Sequence, residues 1–241
     1  ESINNGKINN LLGNAQIKYQ LTDNWDFKLR AGLNTVQSKF RDAVPQFAYT
    51  DHIIFGDNEE QVPRGSRASN GGFYAESSQN NTNLDLTAIS TYGFDLSDHI
   101  KADLSAGYNF FQPKTNRLEG QTVGGIVIPG FYSLSNSVQS PLANNAESTY
   151  RLLGLFGNLS LGLDNKLFLE YSARNDWSST LPDGNNAFFY QAVGASAILS
   201  DIFQLESNGL SFLKLRAGYG TTGKDAPQYL LNSVYVANPT I

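Results

Sequence analysis

The sequence predicts an all-β chain, about eight antiparallel strands of a larger transmembrane β-barrel, with long extracellular loops. Three observations predict it. Stretches of about ten residues alternate apolar with polar side chains, as a strand does when one face meets hydrocarbon and the other water. Connections alternate between tight polar turns and long links rich in Asn, Ser, Gly and Gln. No run approaches the roughly 18 apolar residues of a membrane helix, so any span must be made of strands.

The first strand is expected over 11–21, where Leu11, Ala15, Ile17, Tyr19 and Leu21 alternate with Asn14, Gln16, Lys18 and Gln20. Thr22-Asp23-Asn24 is a turn of the kind that closes hairpins, and 25–35 follows with the plainest pattern. There Trp25, Phe27, Leu29, Ala31 and Leu33 oppose Asp26, Lys28, Arg30, Gly32 and Asn34. After a link at about 38–80, strand 84–96 sets Leu84, Leu86, Ala88, Tyr92, Phe94 and Leu96 against Asp85, Thr87, Thr91 and Asp95. Ser97-Asp98-His99 turns into 100–112, where Ile100, Ala102, Leu104, Ala106, Tyr108 and Phe110 oppose Lys101, Asp103, Ser105 and Asn109. Ile89 and Phe111 break the period.

A second long link covers 114–148. Strand 150–163 then carries Leu153, Leu155, Leu159, Leu161 and Leu163 on one face. Asp164-Asn165 turns it into a strand with Leu167, Leu169, Tyr171 and Ala173 opposite Glu170, Ser172 and Arg174. Beyond a link at 177–186, a weaker strand is expected near 187–199 through Val193, Ala195, Ala197 and Leu199. The last lies near 211–222, with Leu213, Leu215, Ala217 and Tyr219 against Lys214, Arg216 and Gly218. Outer-membrane barrels have short periplasmic turns and longer extracellular loops. The first strand would then run inward and the eighth outward, leaving both chain ends outside the cell, so strands are expected to be missing on both sides.

Composition narrows the function. The 17 Lys+Arg against 22 Asp+Glu give a formal charge of -5, which argues against a nucleic-acid partner. Cys is absent, which excludes disulfides, thiolate metal sites and cysteine nucleophiles. Met is absent too, and Glu1-Ser2-Ile3 carries no signal-peptide pattern, so the natural N-terminus is expected to lie upstream.

Three stretches resemble the SusC/RagA family of TonB-linked outer-membrane proteins of Bacteroidetes. Tyr171-Ser172-Ala173-Arg174-Asn175-Asp176-Trp177-Ser178-Ser179-Thr180-Leu181-Pro182 is similar to its Arg-x-Asp-x-Ser-Ser strand end. Asn185-Asn186-Ala187-Phe188-Phe189-Tyr190 resembles its aromatic entry into the next strand, with Gln191 where the family usually has Pro. Phe212-Leu213-Lys214-Leu215-Arg216-Ala217-Gly218-Tyr219-Gly220-Thr221-Thr222-Gly223 resembles its Leu-Lys-Leu-Arg-x-x-Tyr-Gly-x-Thr-Gly signature. The resemblance implies a fragment, 1–241, of a TonB-dependent receptor barrel of about 22 strands, with the plug domain and terminal strands absent. It implies import of glycan or peptide fragments through the cell outer membrane. The partners it implies are a SusD-like lipoprotein over the extracellular mouth, TonB acting through the missing plug region, and outer-membrane lipid.

The candidate lumen-facing residues are Lys28, Arg30, Asp103, Glu170, Arg174, Lys214 and Arg216, joined on the same faces by Lys18, Asp85 and Lys101. They have two readings: contact with a plug or substrate, or solvation of the inner wall through ion-pair ladders. Trp25, Tyr108, Tyr171 and Tyr219, near strand ends, fit aromatic girdles at the membrane interface. Tyr49, Phe55, Phe73 and Tyr74 in the link 38–80 are candidate extracellular-loop contacts, able to stack on sugars or pack on a partner. Asp57, Glu59 and Glu60 offer oxygen ligands without an EF-hand spacing, and His52 and His99 lack a metal-site spacing. Gly218, Gly220 and Gly223 match a phosphate-loop pattern by letter, but no helical pattern follows. No catalytic constellation or cofactor site is found, so an enzyme is not expected. The competing reading is a binding or adhesion module on a small closed barrel or a soluble sandwich.

Overall fold

The computed structural model describes residues 2–47, 52–55, 60–63, 70–205 and 210–229, with backbone alone at 52–55 and 60–63. The strands are β1 (Ile3–Thr22), β2 (Trp25–Val44), β3 (His52–Phe55), β4 (Glu60–Pro63), β5 (Phe73–Ser97), β6 (Ile100–Ile126), β7 (Ser137–Thr149), β8 (Leu152–Leu163), β9 (Leu167–Ser178), β10 (Ala187–Ile198) and β11 (Lys214–Gly220). A 3-10 turn at Leu134–Asn136 precedes β7, and a one-turn helix, α1 (Leu199–Ile202), follows β10. Nine strands form one sheet, in the order β1-β2-β5-β6-β8-β9-β10-β11, with β7 paired to β6 off that path. The path is open, ending at β1 and β11. β3 and β4 form a separate antiparallel hairpin.

All eight expected strands are present, but four are longer than the periodicity indicated. β1 and β2 have 20 residues each, β5 has 25 and β6 has 27, where about ten cross a membrane. Much of the links 38–80 and 114–148 is therefore strand. In polar stretches such as Ser77-Ser78-Gln79-Asn80 both faces are compatible with water, so backbone pairing continues without an apolar period to reveal it. β7 was hidden for a second reason. It is polar, lies mostly exposed and contains Pro141, which lacks a ladder donor and suits a strand outside the central path.

Contacts divide the chain into two compact units. One comprises 12–33, 83–113 and the chain from Thr149 onward. Its antiparallel registers carry each apolar position onto the same face of the next strand. Ala102 pairs Leu161, Leu161 pairs Leu169, Leu169 pairs Ala195 and Ala195 pairs Ala217. Leu104, Leu159, Tyr171, Val193 and Tyr219 form the next such row. Its large side chains stand open among the described residues: Leu29 is 56% exposed, and Leu104 and Leu169 are each 47% exposed, whereas the small Ala102 between them is shielded, at 2%.

At the β8–β9 turn, Asp164 and Asn165 have φ of 50° and 55°, and Lys166 N–H donates to Leu163 O at 2.9 Å. Two consecutive left-handed residues make a type I′ turn, whose twist matches that of the flanking strands and which Asp and Asn tolerate. His99 Nδ1 lies 2.6 Å from Asp164 Oδ1, joining this turn to the β5–β6 turn.

The other unit comprises 1–11, 34–82 and 114–148. Contacts Lys114–Glu147, Glu119–Asn144 and Val123–Ser137 run in opposite senses along β6 and β7. Ile126 is 1% exposed, and its N–H donates to Gly71 O at 2.9 Å. Gly125 has φ of +104°, and a Cβ there would lie 2.5 Å from Gly71 O, so only glycine permits this approach. Past Ile126 the chain turns at Pro129-Gly130, where Gly130 has φ of +77° and Phe131 N–H donates to Ile128 O at 3.2 Å, a type II turn. Asn136, buried, ties this turn down. Its Nδ2 donates to the carbonyls of Ile128 (2.9 Å) and Phe131 (2.5 Å), and its Oδ1 accepts from Ile128 N–H (2.9 Å).

Candidate functional site

Opposite the apolar face in β6 and β8–β11 runs a polar one, set by the same registers. Lys101, Gly162, Phe168, Ser196 and Arg216 form one row, and Asp103, Ser160, Glu170, Gly194 and Gly218 the next. Its charges divide into locked and available groups.

Arg174 and Asp176 are locked. Arg174 Nε donates to Asp176 Oδ1 at 2.7 Å, Tyr190 hydroxyl donates to Asp176 Oδ2 at 2.7 Å, and Asp176 is 3% exposed. The Arg174 guanidinium lies over the Phe156 ring, 5.7 Å from its centroid. Gly154 supplies the space, since a methyl there would overlap the guanidinium and lie 2.5 Å from Asp176 Oδ1. A mutually neutralised pair whose carboxylate is buried and whose guanidinium is only partly exposed is structural equipment more than a ligand for a passing solute.

Glu170, Lys214 and Arg216 are brought together around a recess of about 240 Å³, with Phe168 and Gly194. Lys214 Nζ stands 4.9 Å from the Phe168 ring centroid. Asp103 lies elsewhere, in a recess of about 350 Å³ with Lys101, Lys18 and Asp26, the last two paired at 3.2 Å. Lys28 and Arg30 belong to β2, where Arg30 makes a long 3.4 Å bond to Gln16. Polar groups complete the surface: Asn109 Nδ2 donates to Thr87 at 3.0 Å and to the Asp85 carboxylate at 3.3 Å, and Thr91 meets Ser105 at 3.1 Å. Such a surface is suited to hydration and to polar contacts at many points.

Two features were not visible in the sequence. Asp225 Oδ2 accepts from Tyr150 and Ser178 hydroxyls at 2.6 Å each and from Thr180 at 3.4 Å, tying the segment after β11 to the ends of β8 and β9. Burial pushes the Asp225 carboxyl up, but hydrogen bonds from Ser178, Tyr150 and its own backbone outweigh this and hold it below the usual carboxylate range. Burial, then the bond to Asp225, pushes the Tyr150 phenol up to about 12. In the sequence Asp225 is one acid in an irregular segment. The second feature is aromatic: Phe156 and Phe168 lie on the polar face, serving as platforms for cations.

Of the candidate loop contacts, Phe73 and Tyr74 open β5, and Tyr74 is 7% exposed with its N–H bonded to Thr122 Oγ1 at 2.9 Å. The candidates Tyr49, Asp57 and Glu59 lie outside the described residues, as do the side chains of His52, Phe55 and Glu60. The Gly218, Gly220, Gly223 pattern is not followed by a helix, since 221–227 is irregular.

A sheet with one largely exposed, hydrocarbon-like face and one charged, polar face has the pattern of a membrane β-barrel wall. The chain belongs to the TonB dependent receptor-like, beta-barrel family, whose model matches residues 2–240. It is 26% identical over 223 residues to TonB-dependent receptor P26 of Formosa agariphila, covering 90% of this chain and 21% of that protein. Its fold is similar to the structure of the RagAB peptide transporter, with a TM-score of 0.72 at 18% identity over 92% of this chain and 23% of that one. It is also similar to the RagAB peptide importer in the 'open-open' state, with a TM-score of 0.77 at 18% identity over 100% of this chain and 25% of that one. The chain thus spans about a quarter or less of the proteins it matches, and the SusC/RagA resemblance agrees with these neighbours.

Proposed function

We propose that the chain forms part of the wall of an outer-membrane TonB-dependent importer of large nutrients, glycan or peptide fragments, working with a SusD-like lipoprotein. The observation that carries this reading is the two-faced sheet in a member of the TonB-dependent barrel family. The apolar rows face lipid, with Trp25 and Tyr92 in a ring cluster suited to the membrane interface. The polar face lines the lumen through Lys28, Arg30, Asp103, Glu170, Arg174, Lys214 and Arg216. Both open sheet edges are paired by further strands of the same barrel, because unpaired backbone is not tolerated in hydrocarbon. The tight turns are periplasmic and the long strand ends extracellular, where the lipoprotein docks. Energy coupling is left to a plug domain that meets TonB.

The peptide half of the substrate reading is supported by the solved neighbours, described as peptide transporters. Uptake of fluorescent oligopeptides and oligosaccharides by cells with and without the full-length protein tests the reading. Entry that requires the protein and the proton-motive force is expected for one substrate class. Protein-independent uptake of both classes would overturn it.

A further inference from the structure

On β1 and β2 the apolar side of the wall ends in lysine. Gln16 meets Arg30, Asn14 lies beside Gly32, and Gly6 lies under the Phe40 ring, where a Cβ would stand 2.8 Å away. The offset between the two strands is the same at all three contacts, so no bulge intervenes and each alternating side is kept along both strands. Gly6 and Phe40 share one side. Their neighbours Lys7 and Lys39 therefore face each other on the other side, in line with Leu11, Ala15 and Ile17 of β1 and with Leu29 and Leu33 of β2. Arg41 follows Lys39 on that side, and all three cations are exposed. Elsewhere on the strands cations meet carboxylates: Lys18 pairs with Asp26 at 3.2 Å and Lys114 with Glu147 at 2.5 Å. Among the described residues Lys7 and Lys39 have no acidic partner, and Arg41 reaches Glu76 only at 4.0 Å. Like charges directly opposite on paired strands are destabilising, so this arrangement costs stability unless an anion neutralises it.

We infer that Lys7 and Lys39, with Arg41, bind the phosphate of an anionic glycolipid in the outer leaflet of the membrane. The inference rests on the proposed reading, since only there does this side of the sheet face lipid. The lysines stand about 13 Å along the strands beyond Leu11, roughly 10 Å in height at a strand tilt of about 40°. From there a lysine lays its methylenes back along the wall and brings its ammonium to the headgroups. Asn5 and Asn9 of β1 and Gln37 of β2 share the side and offer amide groups to the sugar hydroxyls of such a lipid. Two ammonium groups and a guanidinium suit phosphate, a compact acceptor of several charge-assisted hydrogen bonds. A protein is the poorer occupant, because lysine is depleted where proteins meet. A solute crossing the lumen never reaches the outer side of the wall.

The test titrates the detergent-purified full-length protein with phosphorylated lipid A, and with the same lipid after enzymatic dephosphorylation, reading bound lipid by native mass spectrometry. The phosphorylated form should bind, and Lys7→Gln and Lys39→Gln should each weaken it by about fivefold, the effect of one cation near an anionic surface. Lys166→Gln removes the same charge at the β8–β9 turn and should leave binding unchanged. Thermal unfolding supplies a readout that a folding defect does not mimic. Without lipid A, Lys39→Gln should unfold no earlier than the wild type, because a repulsion is relieved; with lipid A, the wild-type midpoint should rise more than that of the double variant. Equal binding of the two lipids, or of neither, would overturn the inference, as would wild-type affinity in the double variant. Inorganic phosphate that protects as well as lipid A at equal concentration would assign the patch to a soluble anion and overturn the lipid assignment. Lost uptake with intact lipid selectivity would count against the transport reading alone, and intact uptake without that selectivity against the lipid site alone.

Discussion

Replacing Gly154 by Ala inserts one methyl group where the structure has no room for it. The new Cβ would overlap the Arg174 guanidinium and lie 2.5 Å from Asp176 Oδ1. Ala in a strand normally improves on Gly by roughly 0.5–1 kcal/mol, because less backbone entropy is lost. Here the guanidinium must move, and Asp176, 3% exposed, loses its charged partner while keeping the Tyr190 hydroxyl. Removing one partner of a buried pair costs about 3–5 kcal/mol. A displaced guanidinium retains part of the attraction, so a net loss of about 2 kcal/mol is expected. The decisive arm is a double-mutant cycle. With Arg174→Ala already present, the methyl meets no guanidinium and only the Asp176 contact remains, so Gly154→Ala should cost clearly less than it does in the wild type. Urea unfolding of the full-length protein in liposomes, followed by the gel shift of folded barrels, measures all four species. Additive losses would show that Gly154 does not serve the ion pair and would refute the reasoning.

Other perturbations have equally definite signs. Asp225→Asn should raise proteolytic cleavage within 221–229, because the amide weakens the Tyr150 and Ser178 bonds, each about 1.5–3 kcal/mol when made to a charge; unchanged cleavage would dismiss the tie. The Asp225 contribution is full above the ordinary carboxyl value of ~3.9 and lost as pH falls through its lower folded value, so the wild type should gain cleavage only in strong acid. The Tyr150 phenol, raised to about 12, stabilises fully below the unfolded value of ~10 and loses that contribution as pH rises toward 12, an alkaline limb that Tyr150→Phe should reduce. At the type I′ turn, Asn165→Gly should be neutral or stabilising, whereas Asn165→Val should cost about 1–2 kcal/mol at its φ of 55°. Equal unfolding midpoints for the two would contradict the assigned turn.

The sequence showed the wall because a membrane strand writes both its environments into alternate residues. Leu153 through Leu163, and Leu167 through Ala173, obey that period and lie where expected. It hid β7 and the far halves of β5 and β6, since water on both faces erases the period while the backbone ladder continues. Hairpin ends were legible where turn chemistry is local, as at Asp164-Asn165. The polar face was legible as charge but not as pairing. Arg174 and Asp176 are two apart on one strand, which suggests contact, yet their burial depends on Gly154 and Phe156 across β8 and on Tyr190 across β10. Tyr74 appeared as one aromatic in a loop and is instead buried beside Thr122. Asp225 and Asn136 act on residues brought near by folding, for which a single sequence has no period or spacing to consult.

The central claim is that alternate residues of these strands face lipid and water. These 241 residues contain no Cys, so single cysteines at consecutive positions 168–173 of β9, with further ones at Leu29 and Leu104, can carry a fluorophore in the full-length protein, with any cysteine outside these residues replaced, reconstituted in liposomes. Leu169, Tyr171, Ala173, Leu29 and Leu104 should be quenched by a nitroxide on the lipid acyl chain, while Phe168, Glu170 and Ser172 should respond to aqueous iodide. Leu29, Leu104 and Leu169 shielded from both quenchers would place them in a closed protein core and contradict the membrane wall.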